Sequence, residues 1–202
     1  MKEKGLCTVI LLFLFFSNAI QAGQISGKGL KAGINLAKSS GVVNPKFKTG
    51  FVGGGFLRYK LSKAFSIQPE LLFSMKGYNV DEDFLTVDAR FSYLELPVLA
   101  KLTLLNHVPL KPEFYVGPAL GYNLTNEFES RFSSNGPVVA SGDITGFNDF
   151  DLGLVFGGNF SFELGSGQML LDFRFNLGLR DWESQLGGSK NRAISIMAGY
   201  SL

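Results

Sequence analysis

Cysteine, histidine and net charge are all scarce in this sequence, and each shortage removes a class of function. The single cysteine, Cys7, stands ahead of an N-terminal apolar stretch, where no lipid-acceptor cysteine would lie. If that stretch is a removable leader, the remaining chain has neither disulfides nor thiolate metal ligands. The single histidine is His107, so histidine clusters are excluded. Lys and Arg number 19 against 17 for Asp and Glu, a net charge of +2. The leader holds part of that excess, with Lys2 and Lys4 against Glu3. What remains is nearly neutral and has no basic block, so nucleic-acid binding has no electrostatic footprint. Apart from Leu6–Phe16 there is no long apolar run, which argues against a bundle of membrane helices.

The N-terminus has the parts of a secretory signal. Lys2 and Lys4 form a charged end, Leu6–Phe16 an apolar core too short to remain as a spanning helix, and Ser17, Ala19 and Ala22 supply small residues for cleavage. The expected division is a signal peptide over 1–22 and one domain over 23–202.

What the chain has in quantity is Gly (25) and Phe (20), arranged in alternation. In Asp149–Leu164 the even positions include Phe150, Leu152, Leu154, Phe156, Phe160 and Phe162; the odd ones include Asp151, Gly153, Gly157, Asn159 and Ser161. After Gly165-Ser166-Gly167, Leu171, Phe173, Phe175 and Leu177 alternate with Asp172, Arg174, Asn176 and Gly178. A period of two means an extended strand with unlike faces, and Gly-Ser-Gly between two such runs marks a tight hairpin. Each run is about twice the usual soluble strand of ~5–6 residues.

Further strands are expected at Gly29–Ala37, Phe47–Leu61, Phe65–Met75, Arg90–Leu104, Glu113–Thr125 and Arg192–Leu202. Between them, the connections 38–46, 76–89, 126–148 and 181–191 are long, whereas 62–64, 105–112 and 165–167 are short. Long and short alternate, which puts every long loop at one end of an antiparallel sheet and both termini at the other. The expected fold is therefore all-β: an eight-stranded, antiparallel, up-and-down transmembrane barrel with loops outside the cell and termini in the periplasm. Pro69, Pro97 and Pro118 fall within strands and predict bulges or bends. Phe91 is out of phase with Leu94 and Leu96, which a bulge near Ser92 would repair.

The segments FKTGFVGGGFLRYKLSKAFSIQPELLFSMKG, YLELPVLAKL, YVGPALGYNL, DFDLGLVFGGNF and FRFNLGL resemble, in order, the PorT-type outer-membrane β-barrel family of Gram-negative bacteria, also called porin-family barrels. The likeness covers nearly all of the chain after the leader, including the prolines of QPELL, ELPVL and VGP. It implies a barrel in the outer membrane and assigns no activity.

With lipid outside, the Phe and Leu rows meet acyl chains. Tyr59, Phe65, Phe114, Phe162 and Tyr200 then form one aromatic girdle, and Phe47, Phe51, Tyr122, Phe150 and Trp182 the other. The interior is expected to hold Lys31, Arg58, Glu70, Glu95, Lys101, Asp151, Asp172 and Arg174. A barrel of this size has room only for its own side chains, so a structural charge network is expected among Arg58, Glu70, Glu95, Lys101, Asp172 and Arg174. Symmetric folding of 76–89 sets Glu70 about opposite Glu95, with Arg58, Lys101 or Arg174 reaching between them. A catalytic carboxylate pair is the alternative, but the sequence offers no substrate cleft for it.

No catalytic, cofactor or metal site is expected. His107 lies in a short-end turn, away from the outer rim where lipid- and protein-cleaving barrels place a histidine. Gly27-Lys28-Gly29 and Gly53-Gly54-Gly55 lack the Lys-Ser/Thr and the helix of a phosphate cradle. Asp81-Glu82-Asp83 lacks the spacing of a calcium loop. The expected partners are outer-membrane lipid, the barrel assembly machinery (which would read Tyr200-Ser201-Leu202 during biogenesis) and an envelope protein met through the long loops, above all the mobile Glu127–Asn148. The function expected is that of a non-enzymatic envelope structural or interaction protein. A small-solute pore is the alternative, and a secreted soluble barrel binding an apolar ligand comes third.

Overall fold

A computed structural model describes residues 24–40, 45–82, 85–104, 108–132, 136–143, 148–180 and 190–202. Residues 1–22, where a signal peptide is expected, with Cys7 among them, and His107 and Trp182 lie outside the described residues. The strands are β1 (Gln24–Ser39), β2 (Lys46–Lys60), β3 (Phe65–Glu82), β4 (Leu85–Thr103), β5 (Lys111–Arg131), β6 (Val138–Asp143), β7 (Phe150–Leu164), β8 (Gly167–Gly178) and β9 (Asn191–Ser201). Neighbours pair antiparallel through the order β4-β3-β2-β1-β9-β8-β7-β5, and β4 pairs again with β5, which closes eight strands into a barrel. β6 pairs only with β5 and stands outside the ring.

Closure removes every free edge from the wall, so all ladder hydrogen bonds are made within the chain, as a bilayer requires. At the seam, Leu202 donates to the Lys28 carbonyl at 2.8 Å and Lys28 to the Leu202 carbonyl at 3.0 Å. The β7–β8 turn is a two-residue loop, Gly165-Ser166, and Gly165 has φ +64°, a left-handed conformation that glycine adopts without steric cost. Gly33 meets a different need. A Cβ there would stand 1.9 Å from the Ile196 carbonyl oxygen, so β1 and β9 approach as closely as they do only because this side chain is missing.

The faces are inverted relative to a soluble protein. Leu30, Ile34, Phe51, Leu152, Phe156, Phe173, Ile194 and Ile196 are exposed on the outer wall, while Lys31, Asn35, Glu70, Lys101, Asp172, Arg174 and Ser195 are buried inside. Leu154 and Phe175 also lie on the outer wall, half-exposed. An apolar surface of this extent is stable only against hydrocarbon.

Several expectations are corrected. The connection 76–89 is mostly ladder, since β3 and β4 remain paired out to Glu82 and Leu85. Likewise β5 continues to Arg131 and pairs with β6 from Glu127–Asp143 to Arg131–Val138, so 126–148 contains a hairpin where a mobile loop was expected. Beyond the apolar wall both strand faces have similar surroundings, and the alternation that marks a strand fades from the sequence. Pro69, Pro97 and Pro118 produce no register shift, because each removes one donor without adding a residue. A bulge does occur between Ser92 and Tyr93, but its extra residue is Leu124 of β5. Phe91 therefore stays inside, buried with Ala89 and Tyr93 against Tyr78. Tyr59 and Tyr122 are covered by neighbours and belong to no exposed girdle, whereas Phe65, Phe114, Phe162, Tyr200, Phe47 and Phe51 are exposed.

Candidate functional site: the charged interior

The inward positions of each strand are those on the polar side of its alternation, and the register stacks their charges in tiers. At the centre, Lys31 of β1 donates to Glu70 Oε1 at 2.7 Å and to Asp172 Oδ2 at 2.9 Å. Arg174 Nη2 lies 2.9 Å from Glu70 Oε2 and 3.4 Å from Asp172 Oδ2. The Tyr115 hydroxyl donates to Asp172 Oδ1, and Gln68 Nε2 to Glu70 Oε1 at 2.7 Å. Two cations and two carboxylates thus form a closed quartet spanning β1, β3 and β8.

Toward the termini lies a second tier. Arg58 donates through Nη1 and Nη2 to the two oxygens of Glu113 at 3.2 and 3.1 Å, a bidentate pair. Lys101 sits 2.9 Å from Glu113 Oε2 and donates to Asn159 Oδ1 at 2.6 Å. Lys101 and Arg58 also donate to Gln68 Oε1 at 3.2 and 3.3 Å, so Gln68 joins this tier to the quartet. On the far side Lys76 pairs with Glu95, and Asn191 Nδ2 donates to Asp151 Oδ2 at 3.3 Å and to the Tyr93 hydroxyl at 3.1 Å. Asn35, Ser74, Ser195 and Asn176 form an uncharged hydrogen-bonded chain beside it.

The cations Lys31, Arg58, Lys76, Lys101 and Arg174 are equal in number to the acids Glu70, Glu95, Glu113, Asp151 and Asp172. A low-dielectric interior demands such neutrality, because an unpaired buried charge is costly. Glu70 does not stand opposite Glu95, whose cross-strand neighbour is Leu72. The ladder continuing past Met75 sets the register, and no cation is shared between the two carboxylates. Arg174 reaches Glu70, Lys76 takes Glu95, and Arg58 and Lys101 both serve Glu113. Glu113 and Lys76 were missed as site residues, although each continues the inward phase of its strand, Glu113 with Gly117 and Ala119, Lys76 with Glu70 and Ser74.

A vestibule of about 430 Å³ opens at the termini end, bordered by Arg58, Lys63, Ser66, Thr103, Lys111 and Glu113. On the other side of the quartet a space of about 20 Å³ lies between Lys76, Glu95, Asp151 and Asn176. The buried side chains of the quartet, Tyr115 and Leu99 separate the two spaces. Chemically, the interior joins β1, β2, β3, β4, β5 and β8 through ion pairs, and ties in β7 and β9 through hydrogen bonds of Asn159, Asn191 and Ser195. Among the described residues no three His, Cys, Asp or Glu side chains converge as a metal site would need.

Residues 21–183 match the family described as "Outer membrane protein beta-barrel domain". Comparison with curated proteins finds no match. Among solved structures the chain is similar to Ail, the attachment invasion locus protein of Yersinia pestis, at 14% identity and TM-score 0.46, covering 89% of this chain and 100% of that one. It is similar to Neisserial surface protein A at 15% identity and TM-score 0.47, covering 87% and 96%. The N-terminal β-barrel domain of Pseudomonas aeruginosa OprF gives 12% identity and TM-score 0.41, covering 89% and 99%.

Proposed function

The chain belongs to the outer-membrane protein β-barrel domain family and resides in the outer membrane, and from that premise we propose that it is a non-enzymatic envelope protein making contacts through its long hairpins. The observation that carries this reading is the β5–β6 hairpin. It stands outside the closed ring, β6 is exposed along its whole length, and Phe132, Val138 and Val139 are exposed on it. Apolar side chains displayed on a strand pair beyond the barrel wall suit contact with another envelope protein. The interior supports the non-enzymatic part, because Glu70, Glu95, Glu113 and Asp172 are each ion-paired with Lys31, Arg58, Lys76, Lys101 or Arg174, and Glu113, to which the Thr103 hydroxyl donates in the vestibule, is held by two cations.

In this reading the long hairpins face outside the cell and the termini the periplasm. Residues 1–22 are the secretory signal, and Tyr200-Ser201-Leu202 is the end read by the assembly machinery. The network of Arg58, Glu70, Glu95, Lys101, Asp172 and Arg174 is structural. Within the family we group the chain with the PorT-type barrels, on its QPELL, ELPVL and VGP segments.

Orientation is tested by adding trypsin to intact cells. Cleavage after Arg131, in the β5–β6 hairpin, is expected before the envelope is permeabilised; cleavage only afterwards would place this hairpin in the periplasm and overturn the reading. The pore alternative is tested by reconstitution into planar bilayers. Because the quartet blocks the interior, no stable current above leak is expected, whereas a steady open-channel current would make the chain a small-solute pore.

A further inference from the structure

Along β1 the outward row Leu30, Ala32, Ile34 and Leu36 is bounded by Lys28 at one end and Lys38 at the other. Those two lysines are about 33 Å apart along the strand at ~3.3 Å per residue, or about 25 Å of membrane thickness at a tilt of ~40°. This is the height of an apolar belt, so Lys38 stands at a headgroup boundary. There the register sets Lys38 directly against Arg192 of β9. One pleat further, Ser40 N donates to the Lys190 carbonyl at 2.9 Å, and Lys190 N to Ser40 Oγ at 3.1 Å. Lys190 has the same parity as Arg192, and so the same face of the strand. Three cations thus share one patch of the outer wall. Like charges directly opposite across a ladder destabilise it, yet among the described residues no carboxylate pairs with any of the three. Lys38 Nζ also lies 4.9 Å from the centroid of the exposed Phe47 ring, an aromatic at the level where such rings meet headgroups.

We propose that Lys38, Lys190 and Arg192 bind the phosphate of a membrane-lipid headgroup. The bound phosphate supplies a counter-charge to all three cations. A lipid fits better than a free anion because the patch borders Ile34, Leu36, Ile194 and Ile196, along which its acyl chains would lie. Lys28, at the opposite boundary, stands across from Leu57 of β2 and not from a cation. The inference rests on the outer wall facing lipid.

The full chain is folded into phosphatidylcholine nanodiscs containing a minor share of phosphatidic acid, and retained lipid is counted by native mass spectrometry after release. Phosphatidic acid is expected to be retained selectively. At about five-fold per cation near a charged headgroup, Lys38→Gln combined with Arg192→Gln should lower the preference roughly 25-fold. Lys60→Gln, at the other rim, should leave it unchanged. Heat-modifiable gel mobility verifies folding, and if the double variant does not fold, Lys190→Gln alone should lower the preference about five-fold. Equal retention of both lipids, an unaltered preference in the folded variants, or equally effective displacement by millimolar inorganic phosphate would overturn the proposal. A chain that inserts into phosphatidylcholine but does not discriminate overturns the patch and leaves the barrel standing. A chain that inserts into no bilayer overturns both.

Discussion

Glu70→Ala is expected to lower stability by about 3–5 kcal/mol, the usual loss when one partner of a buried ion pair is removed. Glu70 is 0% exposed and neutralises two cations at once, Lys31 at 2.7 Å and Arg174 at 2.9 Å, whose side chains are each 1% exposed. Without it both would compete for Asp172, which is already bonded to Tyr115. The excess positive charge would then sit inside a wall of hydrocarbon. A urea series in phosphatidylcholine vesicles, with folded fraction read from heat-modifiable mobility, measures the loss. Combining Glu70→Leu with Lys31→Met should recover much of it, because Arg174 and Asp172 remain a neutral pair and the new side chains fill similar volume. A Glu70→Ala variant within about 1 kcal/mol of the parent would mean that the tier is hydrated and that its ion pairs contribute little.

Ile196→Arg is expected to destabilise the protein in a bilayer by about 2–4 kcal/mol, the cost of a cation at mid-depth on a barrel wall. Ile196 is 40% exposed and lies in a transverse outer row with Ile34 and Phe173, its partners on the two adjacent strands. The same change at Thr49, an exposed residue opposite Leu36 and nearer the rim, should cost about 0–1 kcal/mol. The same vesicle titration serves for both. The sign is decisive: on a water-facing wall an arginine for an exposed isoleucine would be neutral or favourable. Equal effects at the two depths would remove the membrane from the account of this surface.

The strands of the wall were legible in the residues because a barrel wall has hydrocarbon on one side and its own polar interior on the other. Leu171, Phe173 and Phe175 against Asp172, Arg174 and Asn176 can be satisfied in only one way once those two environments exist. The same reasoning explains where legibility stopped. In 76–82 and 126–131 the strands continue past the apolar belt, their two faces no longer differ, and nothing in the local pattern separates ladder from loop. Phe91 shares the parity of Tyr93 and Glu95, so its apparent misfit marked an aromatic turned inward and not the bulge. The bulge itself left no trace in β4, because its surplus residue, Leu124, stands on β5.

By itself the sequence determined which residues turn inward and which turn out, and hence the class of fold and the membrane it lies in, since parity along a strand is a local property. Which inward charge meets which was decided only by the closed barrel. Lys31, Glu70 and Asp172 come from β1, β3 and β8, and their meeting depends on register and curvature summed around the ring. A shift of two residues at any strand pair keeps every side chain on its proper face and changes the ion pairs that cross it.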